Sequence, residues 1–172
     1  MTELNIPEAI EVEKKLLSAL MLKGGQAIPE VETLLTAEDF YRQEHKLIYK
    51  ALLRLSNIGT PLDVLIVENE WRKSGDLEKV TRQYLFGLIP LEYTTLRAET
   101  YARVIRQKSL MRQLITAGKR LAVTASDERN QIEDVLSYAE KEILSISNRQ
   151  VQTGFEGVSD IIQRSFERIH YM

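Results

Sequence analysis

The sequence predicts an all-α protein: a compact bundle of short helices, then a long projecting helical hairpin, then a C-terminal linker helix. Three observations predict it. Apolar residues recur at the 3.6-residue period along most of the chain. No segment sustains period-2 alternation, and 8 Gly and 4 Pro are few for a loop-rich or all-β chain. Arg97 to Asn148 reads as two long helices joined by one polar break, with one Gly (Gly118) and no Pro.

The first helix is placed from Pro7 or Glu8. Pro suits a first helical position, and Glu8, Glu11 and Glu13 suit the positive end of the helix dipole. Ala9, Val12, Leu16, Leu17, Leu20 and Met21 form its stripe, and Gly24-Gly25 ends it. A short helix follows over Ile28 to Leu35, with Thr36-Ala37-Glu38-Asp39 as a cap and turn. The next runs from Gln43 to Asn57, with Leu47, Ile48, Ala51, Leu52 and Leu55 on one face. Asn57 to Pro61 stops it. Asp63 caps a helix over Val64 to Ser74, Ser74-Gly75-Asp76 is a break, and a last short helix covers Arg82 to Leu88 before Pro90.

Residues 1–96 therefore form a globular helical head, and residues 97–148 the hairpin. The arm from Arg97 to Ala125 would be roughly 43 Å long at 1.5 Å per residue. The turn is Asp127 to Gln131, and the return arm runs from Ile132. Residues 149–172 read as a linker, Gln150 to Glu156 by composition, with a helix from about Ser159. That helix carries Ile161, Ile162, Phe166 and Ile169 on one stripe and meets Met172 without a C-cap, which reads as a helix cut from a longer protein.

Composition narrows the function. The chain is 44% hydrophobic and 28% charged, with a formal net charge of −2, so the surface as a whole is not built to grip nucleic acid. There is no Cys, which removes disulfides and thiolate metal sites and fits a cytoplasmic protein. The N-terminus lacks the basic and apolar regions of a secretory signal, and no apolar run reaches the roughly 20 residues of a membrane span.

A search for catalytic chemistry is negative. The two His, His45 and His170, fall in different predicted units, and His45 reads as a packing or hydrogen-bonding residue. Gly118-Lys119 is no phosphate loop: Gln113 and Arg120 stand where Gly and Ser or Thr belong, and the pair lies inside a helix. The carboxylates fall mainly on predicted exposed faces. Trp71 and Tyr93 read as one core and one edge residue. No catalytic residue, metal ligand or cofactor-binding residue is expected in this chain.

Charge is uneven. Residues 97–120 hold seven basic residues and one acid, a formal +6; residues 127–142 hold six acids and two basic residues, −4; residues 1–40 are at −5. The basic arm 97–120 permits a nucleic-acid-binding helical module, whose affinity would depend on Arg103, Arg106 and Arg112 and fall steeply with salt. The competing account is that the acidic return arm or N-terminal helix lies beside it and offsets it, leaving little direct DNA binding. That account is the better supported, because an antiparallel hairpin brings Arg112, Lys119 and Arg120 toward Asp127, Glu128, Glu133 and Asp134.

The hairpin has more apolar surface than one contact can cover. Leu114, Gly118, Leu121 and Ala125 form one stripe, which Tyr101, Val104, Ile105, Met111, Ile115 and Ala122 widen. The return arm presents Ile132, Leu136, Ala139, Ile143 and Ile146. One stripe closes the hairpin; the surplus needs a second surface, the head or another hairpin. Two hairpins meeting antiparallel would make a two-fold, four-helix dimer. Leu114, Ile115, Gly118, Leu121, Ala122, Ile132, Leu136 and Ala139 are the expected interface.

These residues resemble the N-terminal domain of the DnaB family of bacterial replicative DNA helicases, over about residues 7–148. The likeness lies in Pro7 and the acidic, Leu-rich helix Glu11 to Leu20; in Asp39-Phe40-Tyr41 with His45, then Ile48, Ala51 and Leu55; and in Pro61-Leu62-Asp63 with Val67. It continues through Ser74-Gly75-Asp76-Leu77, Tyr84-Leu85 with Leu88, Tyr101 to Ile105, and Lys108 to Ile115. One departure stands out: Thr81-Arg82 occupies the place where the family often has Gly-Gly, and a Thr can cap a helix there.

The resemblance implies a non-catalytic collar on one face of a hexameric ring, assembled as a trimer of dimers through the hairpins. It implies docking of the C-terminal helicase-binding domain of primase, and a helicase loader as a further partner. It implies that ATP and Mg belong to a motor domain absent from this chain, and that Ile161, Ile162, Phe166 and Ile169 dock on a neighbouring motor domain. Without that partner the linker helix is expected to be disordered or to pack on another copy. Tyr93, Arg112 and Tyr138 are the candidate primase contacts, because aromatic and Arg side chains beside an interface make the better anchors.

Overall fold

The computed structural model describes residues 4–21, 25–60, 62–74, 81–88 and 97–152, with backbone alone at Trp71, Ser74 and 149–152. Tyr93, the side chain of Trp71 and the linker helix with Ile161, Ile162, Phe166 and Ile169 lie outside the described residues. Within them the chain is α-helical, without strands: α1 Ile10–Met21, α2 Ile28–Glu32, a 3-10 turn Ala37–Asp39, α3 Gln43–Asn57, α4 Val64–Ser74, α5 Arg82–Gly87, α6 Ala98–Ser126 and α7 Ile132–Gln152.

Helix caps explain most of the boundaries. Asp63 Oδ1 accepts the Leu65 N–H at 2.7 Å and starts α4 where the sequence placed it. Thr81 Oγ1 accepts the Tyr84 N–H at 3.2 Å and starts α5, the role assigned to it as the replacement for Gly-Gly. Thr36 and Asp39 close a reciprocal capping box on the 3-10 turn. Gly25 takes φ +86°, the left-handed conformation that favours glycine, just before α2.

Three boundaries differ from the sequence reading. Helix α1 begins at Ile10 rather than Pro7 or Glu8, because the first intrahelical bond is Glu13 N–H to Ala9 C=O. Helix α2 stops at Glu32 rather than Leu35: the Thr33 hydroxyl donates to Glu30 C=O at 2.7 Å, competing with the helix ladder. Helix α7 continues to Gln152, through the first residues read as linker. Neither Gly nor Pro occurs between Ile132 and Gln152, so nothing local ends it earlier.

The chain divides into two compact units, residues 1–109 and 110–172. In the first, α1 packs on α3, α3 on the 3-10 turn and on α4, and α4 on α5. Its core gathers Leu16, Leu17 and Leu20 of α1, Ile28 and Val31 of α2, Phe40, and Ile48, Tyr49 and Leu52 of α3. Ala98, Ala102 and Ile105 of the long helix complete that core, with Tyr101 packed against it. Part of the apolar surplus counted on the first arm, Ile105 and Tyr101, is therefore used here.

The second unit, as far as it is described, contains the rest of α6, the turn and α7. Asp127 makes the turn, its carbonyl accepting Asn130 N–H and its Oδ1 accepting Arg129 N–H. Asn130 Nδ2 donates back to Thr124 C=O at 2.8 Å, capping the end of α6. Farther along the arms, Arg120 reaches Glu142 at 3.2 Å.

Candidate functional site

Buried polar groups hold the first unit in shape. Glu13 of α1 is 1% exposed. Its Oε1 accepts the Tyr41 N–H at 2.6 Å, and its Oε2 lies 2.5 Å from His45 Nδ1 and 3.5 Å from the Arg42 N–H. The other ring nitrogen, Nε2, is 2.6 Å from the Tyr84 hydroxyl. With Nδ1 donating to the carboxylate, Nε2 of a neutral ring accepts from Tyr84. One imidazole thus ties α1, α3 and α5 together.

Asp39 is the second anchor. Its Oδ2 accepts from Thr36 N–H and Oγ1, and its Oδ1 accepts from Arg106 Nη1 and Ser109 Oγ, both at 2.6 Å. Glu68, also buried, pairs with Arg72 at 3.3 Å and Arg82 at 3.2 Å, joining α4 to α5. The expectation that carboxylates sit mainly on exposed faces fails for these three. Each is a structural acceptor with more than one donor, which is how a buried carboxylate is tolerated.

This arrangement removes cations from the basic arm. Arg106, named as a DNA contact, is 3% exposed and spent on Asp39. Arg103 pairs with Glu99 one turn earlier, and Arg120 with Glu142 of the return arm. The return arm does offset Arg120, but through Glu142 rather than the turn-side acids Asp127, Glu128, Glu133 and Asp134, and for Arg106 the offset comes from the 3-10 turn instead.

No catalytic constellation forms among the described residues. Among the described residues no group of three or more His, Asp or Glu is placed to hold a metal ion. A cleft of about 410 Å³ is lined by Glu11, Lys14, Thr81, Gln83, Tyr84, Gly87 and Leu88, but the Tyr84 hydroxyl already bonds His45. Burial raises the Tyr84 phenol above its ordinary pKa, so it stays protonated. No described helix is long and apolar enough to cross a membrane.

Leu4, Ile6, Tyr41, Ile58 and Leu65 are exposed in the first unit, but most of the large exposed apolar residues lie on α6 and α7. On α6, Ala117 is buried, with Leu121 and Thr124 half-buried on the same face; on α7, Val135, Tyr138, Glu142 and Ile146 are half-buried. At 100° per residue these define the two closing faces. About a quarter turn round α6 from its closing face lie Met111, Leu114, Gly118, Ala122 and Ala125, all exposed. About a quarter turn round α7 lie Ile132, Leu136 and Ile143, exposed, with Ala139 half-buried among them. Both offsets run in the same rotational sense. In an antiparallel pair that places both stripes on one side, as a single apolar face.

Leu114 is 47% exposed and Leu136 57%. The residues expected at an interface thus share this face: Leu114, Gly118, Ala122, Ile132, Leu136 and Ala139 along it, Ile115 and Leu121 half-buried at its α6 margins. Of the primase candidates, Arg112 and Tyr138 are half-buried on α6 and α7. Sequence reasoning missed Ala117, whose small side chain on the closing face was readable only as one more Ala. It also missed Glu13 and Asp39 as anchors, although Asp39 and His45 were part of the family pattern.

A family model described as the DnaB-like helicase N-terminal domain matches residues 5–107. The replicative DNA helicase DnaB of Geobacillus stearothermophilus is 31% identical over 167 residues, which is 96% of this chain and 37% of that protein. The replicative DNA helicase DnaC of Bacillus subtilis (strain 168) is 30% identical over the same share of each. The chain therefore spans little more than a third of these relatives' length. The crystal structure of the N-terminal domain of DnaB helicase from Mycobacterium tuberculosis superposes with a TM-score of 0.76 at 31% identity, covering 81% of this chain and 99% of that one. An all-helical head built on buried Glu13 and Asp39, a family match over most of that head, and a solved neighbour of the same fold agree: the chain belongs to the DnaB-like helicase N-terminal domain family.

Proposed function

We propose that this chain is a non-catalytic collar domain of a bacterial replicative helicase, acting in the cytoplasm at the replication fork. It self-associates through the apolar face of the α6–α7 hairpin, as pairs of copies that build a hexamer as a trimer of dimers. It docks the C-terminal helicase-binding domain of primase, and a helicase loader is a further partner. Unwinding, with its ATP and Mg, belongs to a motor domain elsewhere in the parent protein.

The observation that carries this reading is the exposed stripe Leu114, Ile132, Leu136 and Ile143 on one side of the hairpin. Exposed apolar faces of that kind mark association surfaces. The DNA-binding alternative has lost one of the three cations named for it, since Arg106 is buried on Asp39. Native mass spectrometry tests the proposal. The chain is expected as a dimer or hexamer at micromolar concentration, and Leu114→Glu with Leu136→Glu as a monomer of unchanged helicity. Added primase C-terminal domain is expected to bind, less tightly to Arg112→Ala, Tyr138→Ala or Tyr93→Ala. A strict monomer that ignores primase would refute it.

A further inference from the structure

The geometry points to the cleft between α1 and α5 as a proton-linked site for a small aliphatic carboxylate. The ligand takes the place of Glu11 on Lys14 and receives a second hydrogen bond from Tyr84, while His45 takes up one proton. The site stands apart from the proposed self-association, which uses α6 and α7.

Lys14 is the first observation. Its ammonium donates to Glu11 Oε1 at 2.7 Å, and the two side chains differ in exposure, 28% for Lys14 against 72% for Glu11. The cation is sheltered beside the cleft, and its carboxylate partner stands mostly in water. Glu11 thus shows that a carboxylate fits against Lys14. An exposed ion pair of this kind holds weakly, so a carboxylate from solution can replace Glu11 and leave no buried charge unpaired.

Tyr84 is the second. It lines the same cleft, and its hydroxyl is 2.6 Å from His45 Nε2. Glu13 Oε2 accepts from Nδ1, so Nε2 is the acceptor of the neutral ring and the Tyr84 hydroxyl donates inward. Toward the cleft that hydroxyl then offers only lone pairs, which a carboxylate avoids. One proton from solvent added to Nε2 makes the ring a donor on both sides. Tyr84 Oη accepts the new Nε2–H, and its own proton turns outward, where a carboxylate accepts it. Every hydrogen bond of the network survives, and the imidazolium faces the Glu13 carboxylate.

Surrounding charge gives the sign. Glu13 and Lys14 of α1 act on Tyr84, as do Arg42 and Glu44 at the start of α3, while Glu11 lies within reach of the His45 charge. Burial raises the Tyr84 phenol above its ordinary value, and Lys14 and Arg42 only partly oppose it, so the hydroxyl keeps a proton to donate in either state. A bound anion favours the protonated ring, so affinity rises as pH falls. The cleft holds about 410 Å³, with Gly87 and Leu88 supplying apolar wall, and a Cβ at Gly87 would meet nothing within 4 Å. That space suits a carboxylate bearing one aliphatic side chain.

N-acetyl-leucine is the probe, titrated into the whole chain and followed by the NMR shifts of Tyr84 and His45. Both residues are expected to move, with affinity rising up to tenfold for each pH unit lowered while the free ring is neutral. Calorimetry in two buffers of different ionisation enthalpy should show proton uptake. N-acetyl-leucinamide, which lacks the carboxylate, should not bind. Glu11→Gln is expected to strengthen binding about twofold to fivefold by removing the competitor. Tyr84→Phe should weaken it about tenfold or more and remove its pH dependence. Lys14→Met leaves the buried network intact, so it should weaken binding with the His45 spectrum unchanged, even if Tyr84→Phe fails to fold. Equal binding of the amide, affinity independent of pH, unmoved Tyr84 and His45 signals, or full affinity in Lys14→Met would each overturn the inference and leave the hairpin dimer standing.

Discussion

Asp39 and Arg106 stand 67 positions apart and meet in a buried ion pair, with Nη1 of the arginine 2.6 Å from Oδ1 of the aspartate. The contact fastens the long helix to the turn that precedes α3. Because the same Oδ1 also takes Ser109 Oγ and the other oxygen takes Thr36, removing the carboxylate strands several donors at once. Asp39→Ala or Arg106→Ala is expected to lower stability by about 3–5 kcal/mol. The double variant should cost less than the sum, as a coupled pair does. Urea unfolding of the four proteins checks both, and additive losses would contradict the pairing.

The imidazole of His45 is 0% exposed and bonded at both nitrogens. Tyr84→Phe removes one partner and is expected to cost about 1–3 kcal/mol. Glu13→Ala leaves the ring and two backbone N–H groups without their acceptor and should cost more. Nitrogen-15 shifts of His45 should report a protonated Nδ1 in the parent chain and a different ring environment in Tyr84→Phe. An unchanged His45 spectrum in that variant would contradict the bond.

Among the described residues, Gly25 and Gly59 have positive φ but different surroundings. A Cβ at Gly25, φ +86°, would collide with the Leu62 side chain, while one at Gly59, φ +67°, would meet nothing within 4 Å. Gly59→Ala is expected to cost about 1 kcal/mol for the left-handed backbone alone. Gly25→Ala should cost more, from that strain plus displacement of Leu62. Thermal melts of the two variants give the order directly, and equal losses would refute it.

Alkaline pH should unfold the chain. Burial pushes the Tyr49 phenol far above its ordinary value of 10.0, and raises Tyr84 less. Below pH 10 both are neutral in folded and unfolded chains, so their contribution is fully present. Above it the unfolded chain loses protons that the folded one keeps, and stability falls as pH rises. Tyr49→Phe is expected to flatten that decline. Tyrosinate absorbance followed with circular dichroism should show Tyr49 ionising only with unfolding; ionisation of all seven tyrosines before the helical signal is lost would contradict it.

Much of this was legible in the sequence for local reasons. The caps Asp63 and Thr81, the Thr36–Asp39 box and the span of α3 follow from side chains bonding to backbone a few residues away. The apolar stripes of the hairpin follow from a 3.6-residue period, which fixes relative faces once the helix exists. The family followed from the order of such local elements.

Only the tertiary structure decided which polar residues are inside. Glu13 reads as a helix-dipole residue and Arg106 as a member of a basic stripe, because each is judged against its own helix. What buries them are partners 32 and 67 residues away, and no local period encodes those distances. The same holds for the long helix: its sequence says how much apolar surface it carries, and folding alone assigns Ala102 and Ile105 to the core and leaves Leu114 open.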